Sequence, residues 1–149
     1  MRKIIEFDGG DSAEELAAIC KQTKTAAVWN AKDFQTEATQ KTSKIFVLID
    51  TGIQKNTLGF CSVRFVCETA EITNFAVLPS QQRKHFGSEL FTHTLNFLKT
   101  QGIKNVTLEV SSANKPAQEF YKKFNFINVS MRKKFYNMKE DALILKLDL

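Results

Sequence analysis

A carboxylate at Glu109 and a phenol at Tyr121 are the side chains in this sequence best placed to move a proton. Glu109 alternates with Leu108 and Val110, so the period of a strand turns it off the apolar face, where it can act as a base. Ala117, Phe120, Tyr121 and Phe124 recur at the steps of one helix face. The Tyr121 ring should therefore pack while its hydroxyl reaches a polar cleft. By themselves the two residues also read as a sheet-surface charge and a core aromatic. Glu71, on a neighbouring strand, is a second carboxylate that could relay a proton through water.

The next chemistry-bearing stretch runs from Asn74 to Leu90, where an apolar strand is followed by a basic turn and the start of a helix. A helix N-terminus presents unpaired N–H groups and the positive end of its dipole, which suits a pyrophosphate. Arg83 and Lys84 add charge, and Gly87 lets a ligand approach the backbone closely. One glycine before a helix is equally the mark of an ordinary strand-to-helix turn.

Around these residues the chain reads as one domain over residues 1–149, with no repeat or Pro/Gly-rich linker. Ile4–Phe7 suggests a short strand. Ser12 with Glu15 has the pattern of a capping box, with Ala13, Leu16, Ala17 and Cys20 as the apolar stripe of the helix that follows. Asn30 caps a second, short helix carrying Phe34. Lys44–Asp50 and Leu58–Cys67 predict a hairpin, and Ala70–Leu78 a third strand stopped by Pro79. The longest helix carries Leu90, Phe91, Thr94, Leu95 and Leu98. A strand over Asn105–Val110, the Tyr121 helix and two last strands, about Ile127–Tyr136 and Ala142–Leu147, complete the order. This is an α+β chain with a mixed sheet of six or seven strands and about four helices.

Composition narrows the functions. The chain has 21 Lys and Arg against 16 Asp and Glu, a formal charge of +5, with clusters at Arg83-Lys84, Lys122-Lys123 and Arg132-Lys133-Lys134. Such runs are most often solvated faces; they lack interleaved exposed aromatics and no RNA-binding signature appears, so direct nucleic-acid binding is not expected. Cys20, Cys61 and Cys67 have no metal-ligand spacing and read as reduced, buried thiols, and no metal is expected. No apolar run is long enough for a bilayer or a signal peptide, which points to the cytoplasm. Thirteen Phe suggest a core filled largely by aromatic rings.

Gln82-Arg-Lys-His85-Phe-Gly87 resembles the first signature of the GNAT N-acetyltransferase superfamily, [Q/R]-x-x-G-x-[G/A], with His85 where the family usually has its first Gly. The stretch from Leu108 to Phe126 is similar to the second, L-E-V-R-x-S-N-x-x-A-x-x-L-Y-x-x-x-G-F. Leu108, Glu109, Val110, Asn114, Ala117, Tyr121 and Phe126 match in register, while Ser111 replaces the Arg, Ala113 the Ser, Phe120 the Leu and Asn125 the Gly. Within the superfamily the chain looks most like the RimI type, the ribosomal-protein-alanine N-acetyltransferases. Val28-Trp29-Asn30, Phe34, Glu71, Asn74 to Val77, Arg132, Tyr136 and Glu140 to Leu143 carry that likeness.

The resemblance implies a GNAT fold and an acetyl-CoA site. Main-chain groups of Phe75, Ala76 and Val77 would meet pantetheine. Gln82, Arg83, Lys84, His85, Phe86, Gly87 and Ser88 would form the pyrophosphate loop, and Asn114 would touch the cofactor. Glu109 would take the proton of the incoming amine, with Glu71 as the alternative, and Tyr121 would protonate the departing thiolate. The acceptor would be a protein N-terminal α-amine, such as that of a ribosomal protein, or else a lysine or small-molecule amine. A degenerate member that binds acyl-CoA without turnover is the rival that His85 and Ser111 motivate.

Overall fold

In the computed structural model, which describes residues 1–23, 26–82, 84–133 and 140–149, seven strands form one sheet in the order β1-β2-β3-β4-β5-β7-β6. The strands are β1 (Arg2–Glu6), β2 (Ser43–Asp50), β3 (Asn56–Val66), β4 (Thr69–Val77), β5 (Asn105–Ser111), β6 (Ile127–Arg132) and β7 (Ala142–Asp148). The helices are α1 (Ala13–Gln22), α2 (Ala31–Ala38), α3 (Phe86–Thr100) and α4 (Lys115–Lys123), with a short 3-10 turn at Pro79–Gln81. Neighbouring strands are antiparallel except β4 and β5. That exception follows from chain order, because α3 carries the chain over the sheet and returns it in the same direction.

The sheet is covered on both faces. Phe46, Leu48, Cys61 and Val63 pack with Leu90, Phe91, Leu95 and Leu98 of α3 and Tyr121 of α4. Ile45, Val47, Ile49 and Phe60 pack on the other face with Leu16, Ala17 and Cys20 of α1 and Phe34 of α2. Burial on both faces explains why β2 is an unbroken apolar run from Ile45 to Ile49 rather than an alternation.

Two irregularities shape the middle of the sheet. Ser62 pairs with Asn74 but Val63 with Ile72, so Thr73 is an extra residue in β4, a β-bulge. Its hydroxyl donates to Ser62 Oγ at 2.9 Å. Gly59 lies so close to β4 that an added Cβ would stand 2.7 Å from the Ala76 carbonyl oxygen. Any side chain there would push the central strands apart.

The capping box expected at Ser12 does not form. Ser12 itself has helical backbone angles and makes no side-chain cap, while Glu15 accepts from the Thr57 hydroxyl of β3. A tertiary partner has taken the carboxylate that the local motif would use. Asn30 does cap α2, exchanging hydrogen bonds with Asp33. Cys20 and Cys61 are buried as expected, but Cys67 is exposed. It sits at φ 55 in the turn between β3 and β4, where the reversing chain leaves the core. The expected last strands appear as β6, which ends at Arg132, and β7; the expected continuation of the first of them to Tyr136 falls in 134–139, outside the described residues.

Glu37, 5% exposed, clips α2 to the sheet. Arg64 donates to both its oxygens at 2.6 and 2.8 Å, and Ser43 Oγ donates at 2.6 Å. The Arg64 hydrogen bonds hold the Glu37 carboxyl below its ordinary pKa, against the opposing effect of burial. A depressed folded pKa stabilises the fold above the unfolded value, near 4.3, and that contribution is lost as pH falls through the folded value. Glu37→Gln should therefore lower the melting temperature at pH 7. It should also flatten the acid limb below about pH 4 relative to the parent chain, as thermal melts across pH would show.

Candidate active site

The parallel ladder of β4 and β5 holds only three pairs, Thr69 with Asn105, Ala70 with Val106 and Glu71 with Thr107. Beyond Glu71 the two strands part. The bulge at Thr73 accounts for this, since an extra residue bends and twists its strand away from a partner held straight. Between them opens a cleft of about 190 Å³ whose lining includes Glu71, Thr73, Asn74, Phe75, Glu109 and Tyr121. Ala26 and Ala27, from the segment joining α1 to α2, complete a wall.

Three of the titratable residues singled out in the sequence thus meet in one place. Glu109 is exposed between buried Leu108 and Val110, as strand alternation predicts. Its Oε1 lies 2.7 Å from a guanidinium nitrogen of Arg132, which reaches across β7 from β6. Both partners are about half exposed, so the pair adds little to stability. Its consequence is to orient the carboxylate. Sequence reasoning missed this contact, because nothing local couples Arg132 to Glu109.

Tyr121 is 9% exposed and its ring packs against Phe91, Phe120 and Phe126 at 5.4 to 5.9 Å between centroids. Burial pushes its phenol well above the ordinary tyrosine pKa, with the nearby Cys61 thiol acting in the same sense. The group is therefore a neutral O–H donor throughout the physiological range.

The loop before α3 brings the other candidates to one end of β4. Gln82 Nε2 donates to the Val77 carbonyl at 3.1 Å and so ties the loop to the strand. Arg83 lies outside the described residues. Lys84 is exposed and donates to Gln81 at 3.2 Å. His85 takes the left-handed backbone, φ 64 and ψ 13, at the N-cap of α3. It therefore adopts the conformation a glycine would adopt, at a cost of roughly 1–2 kcal/mol. The first ladder bond of α3 runs from the Glu89 N–H to the His85 carbonyl, which leaves the N–H groups of Phe86, Gly87 and Ser88 ahead of it.

A Cβ at Gly87 would meet Phe75, Val77 and Phe120 at 3.5 to 3.6 Å. The protein has room for a methyl there, so any penalty for one must come from a ligand. Phe75 also stacks on Phe120, 5.5 Å between centroids. Aromatic packing thus joins β4, α3 and α4 beneath the loop.

Asn114 caps α4, accepting from the Ala117 N–H at 3.2 Å. Ser111, in the place of an arginine, donates to Glu140 and accepts from the Ala113 N–H, tying β5 to the start of β7. Asn125 has φ 71 and ends α4 in the left-handed conformation, which asparagine adopts more readily than most residues.

If Tyr121 is held neutral by burial, its ionisation must lag that of a free phenol. With Tyr136 replaced by Phe, Tyr121 remains as the single tyrosine. The ultraviolet phenolate signal should then rise well above pH 10, the ordinary tyrosine value, or only on unfolding. A normal midpoint in the folded protein would show an open, solvated hydroxyl.

Comparison with known proteins bears on this architecture. Residues 12–126 match the acetyltransferase (GNAT) family. A relative in Bacillus subtilis (strain 168) is 36% identical over 88 residues, and the matched stretch spans 58% of either chain. The [ribosomal protein bS18]-alanine N-acetyltransferase of Escherichia coli (strain K12) is 28% identical over 130 residues, 85% of each. The crystal structure of the ribosomal-protein-S18-alanine N-acetyltransferase from Escherichia coli superposes with a TM-score of 0.82 at 26% identity, over 99% of this chain and 94% of that one. Ard1 from Thermoplasma volcanium, 23% identical with a TM-score of 0.88 over 99% and 97% of the two chains, shares the fold. The seven-stranded sheet parted between β4 and β5, together with a match that runs from the start of α1 to the end of α4, places this chain in the acetyltransferase (GNAT) family.

Proposed function

We propose that this chain is an acetyl-CoA-dependent N-acetyltransferase acting on a primary amine, with a protein N-terminal α-amine as its acceptor. The observation that carries the reading is the cleft itself. Two carboxylates, Glu71 and Glu109, and the phenol of Tyr121 line one opening where β4 and β5 part. The names of the Escherichia coli relatives, which specify N-acetylation of an alanine of ribosomal protein bS18 or S18, support the α-amine, since alanine has no side-chain amine.

The residues present fit the donor. The N–H groups of Phe86, Gly87 and Ser88, at the positive end of a fifteen-residue helix, suit a pyrophosphate. Gly87 leaves the approach to them clear. The edge of β4 beyond Glu71 carries no ladder to β5, which supports main-chain groups of Phe75 to Val77 as partners of a pantetheine chain. In sequence, Arg83 and Lys84 add positive charge to the loop, Gln82 braces it, and Asn114 stands at the head of α4. Acetyl-CoA supplies an acyl group activated as a thioester.

The chain's part in the transfer is to remove one proton and supply another. An α-amine of pKa near 8 is roughly one-fifth neutral at pH 7.4, whereas a lysine near 10.4 is about 0.1% neutral. The α-amine therefore needs only a modest base. Glu109, oriented by Arg132, accepts its proton, directly or through a water shared with Glu71. Two carboxylates at the cleft also attract the ammonium form of the acceptor. Tyr121 Oη holds a proton in reserve for the departing sulfur, and its burial keeps that proton in place until needed. A partner with a free N-terminus, such as a ribosomal protein, would serve as acceptor. No described helix is long and apolar enough to cross a membrane, and the cytoplasm remains the proposed location.

Two measurements test this reading. Gly87→Ala should leave the fold as stable as before or more so, because alanine is the better helix former by up to about 1 kcal/mol. Gly87→Val, bulkier than the Gly or Ala that the signature admits there, should weaken CoA binding by roughly tenfold or more by obstructing the backbone approach; unchanged affinity by calorimetry removes the loop from the site.

In a thiol-release assay with peptide amines, Glu109→Gln should lower kcat/KM by about 10²-fold or more near neutral pH. That deficit should shrink above about pH 8, where the amine is neutral unaided. Tyr121→Phe should lower kcat with CoA affinity retained. Absence of thiol release by the parent protein with α-amine peptides, lysine peptides and polyamines alike would reject the enzyme in favour of a binding protein.

A further inference from the structure

Buried polar side chains in this fold are mostly satisfied by the chain itself. Glu37 and Ser43 bond each other, Ser62 receives the Thr73 hydroxyl, and the hydroxyls of Thr23 and Thr94 donate to carbonyls of their own helices. Asn74 differs. It is 4% exposed, and its Oδ1 has no hydrogen-bond partner among the described residues.

The orientation of that amide is fixed by its other end. Nδ2 donates to the Ala27 carbonyl at 3.1 Å and stands 3.7 Å from Cys20 Sγ. A carbonyl can only accept, so Nδ2 must face Ala27 and Oδ1 must face away. A buried, unbonded carbonyl oxygen costs stability, and a leucine of similar size would fill the same place with no such cost. What an asparagine offers in return for that cost lies at its other end, in Nδ2.

What the amide does is hold a loop. Residues 26–29 belong to neither helix nor strand, so side-chain ties hold them in place of a backbone ladder. One tie is Asn74 to Ala27; another is the Trp29 ring, packed edge-on against Phe34 of α2 at 5.2 Å between centroids. Ala26 and Ala27 are part of the cleft wall. That wall lies on the α1 side of β4, whereas Phe75, one residue on, packs toward α3 and the loop before it. The two faces of β4 thus separate the donor's loop from the wall that Asn74 supports.

We propose that Asn74 is a positioning residue for the acceptor: by clamping the Ala26–Ala27 wall to β4, it sets how tightly the amine substrate is held, and it leaves donor binding alone. The inference rests on reading the cleft as the meeting place of amine and acyl donor. It concerns the wall on the acceptor side of that cleft, which the proton-transfer roles of Glu109 and Tyr121 leave undefined.

The test is Asn74→Leu, read by steady-state kinetics with a peptide amine and by hydrogen exchange. The variant should stay folded with a melting temperature near the parent's, because removing the orphan oxygen offsets the lost bond to the Ala27 carbonyl. Its KM for the peptide should rise by about threefold to tenfold, the worth of one lost hydrogen bond, with KM for acetyl-CoA within about twofold. Amides of residues 26–29 should exchange faster while those of α3 and β3 stay protected. An unchanged peptide KM overturns the proposal, as does an equal rise in both KM values.

Should Asn74→Leu fail to fold, Asn74→Ala removes the same donor without overfilling the site, and the same split in KM is required of it. If the parent protein turns over no amine, the proposed activity fails, and exchange decides the clamp separately. Faster exchange confined to residues 26–29 upholds it, and unaltered exchange rejects it.

Discussion

The parting of β4 from β5 is the constraint on which the rest of this structure depends. A parallel pair sharing a hydrophobic core would ordinarily zip along its full length, since every unpaired N–H and C=O near the core carries a cost. Here the ladder stops after Glu71 and Thr107, two residues before the extra residue Thr73. The bulge bends β4, and the edge so exposed becomes a place where a ligand's polar groups can complete what β5 does not. Gly59 belongs to the same arrangement, because β3 must follow β4 closely for the bend to be tolerated.

Around that opening, each element contributes by what it packs against. α3 begins where β4 ends, and Gln82 fixes the distance between them by bonding Val77. α4 is held by the aromatic cluster of Phe75, Phe91, Phe120 and Phe126, which also keeps the Tyr121 ring out of water. The hydroxyl is neutral because the ring is buried; packing and acid strength are the same fact seen at two scales. β6 and β7 add Arg132, whose half-exposed pairing with Glu109 is weak as a staple and useful as a guide.

The departures from the superfamily's signatures are absorbed locally. His85 replaces a glycine yet keeps the left-handed backbone at φ 64, so the N–H groups of the following turn keep their direction. Ser111 replaces an arginine and joins β5 to Glu140. Asn125 replaces a glycine at φ 71, a conformation asparagine reaches more readily than most residues. Each substitution preserves the backbone path, which the fold requires, while changing the side chain presented.

Strand and helix order, the hairpin of β2 and β3, the cap at Asn30 and the outward turn of Glu109 were all legible in the sequence. They rest on periodicity and on contacts a few residues apart, which a linear pattern records. The two signatures likewise marked the loop before α3 and the stretch from Glu109 to Tyr121. What the sequence could not show involves partners far along the chain. Glu15 abandons its local cap for Thr57, and Thr73 becomes a bulge only when β3 is laid beside it. Glu109 meets Arg132 across an intervening strand, and Asn74 reaches Ala27. Local propensity chose the elements, but the cleft exists because two strands that begin together are bent apart by a third, and only the assembled sheet decides that.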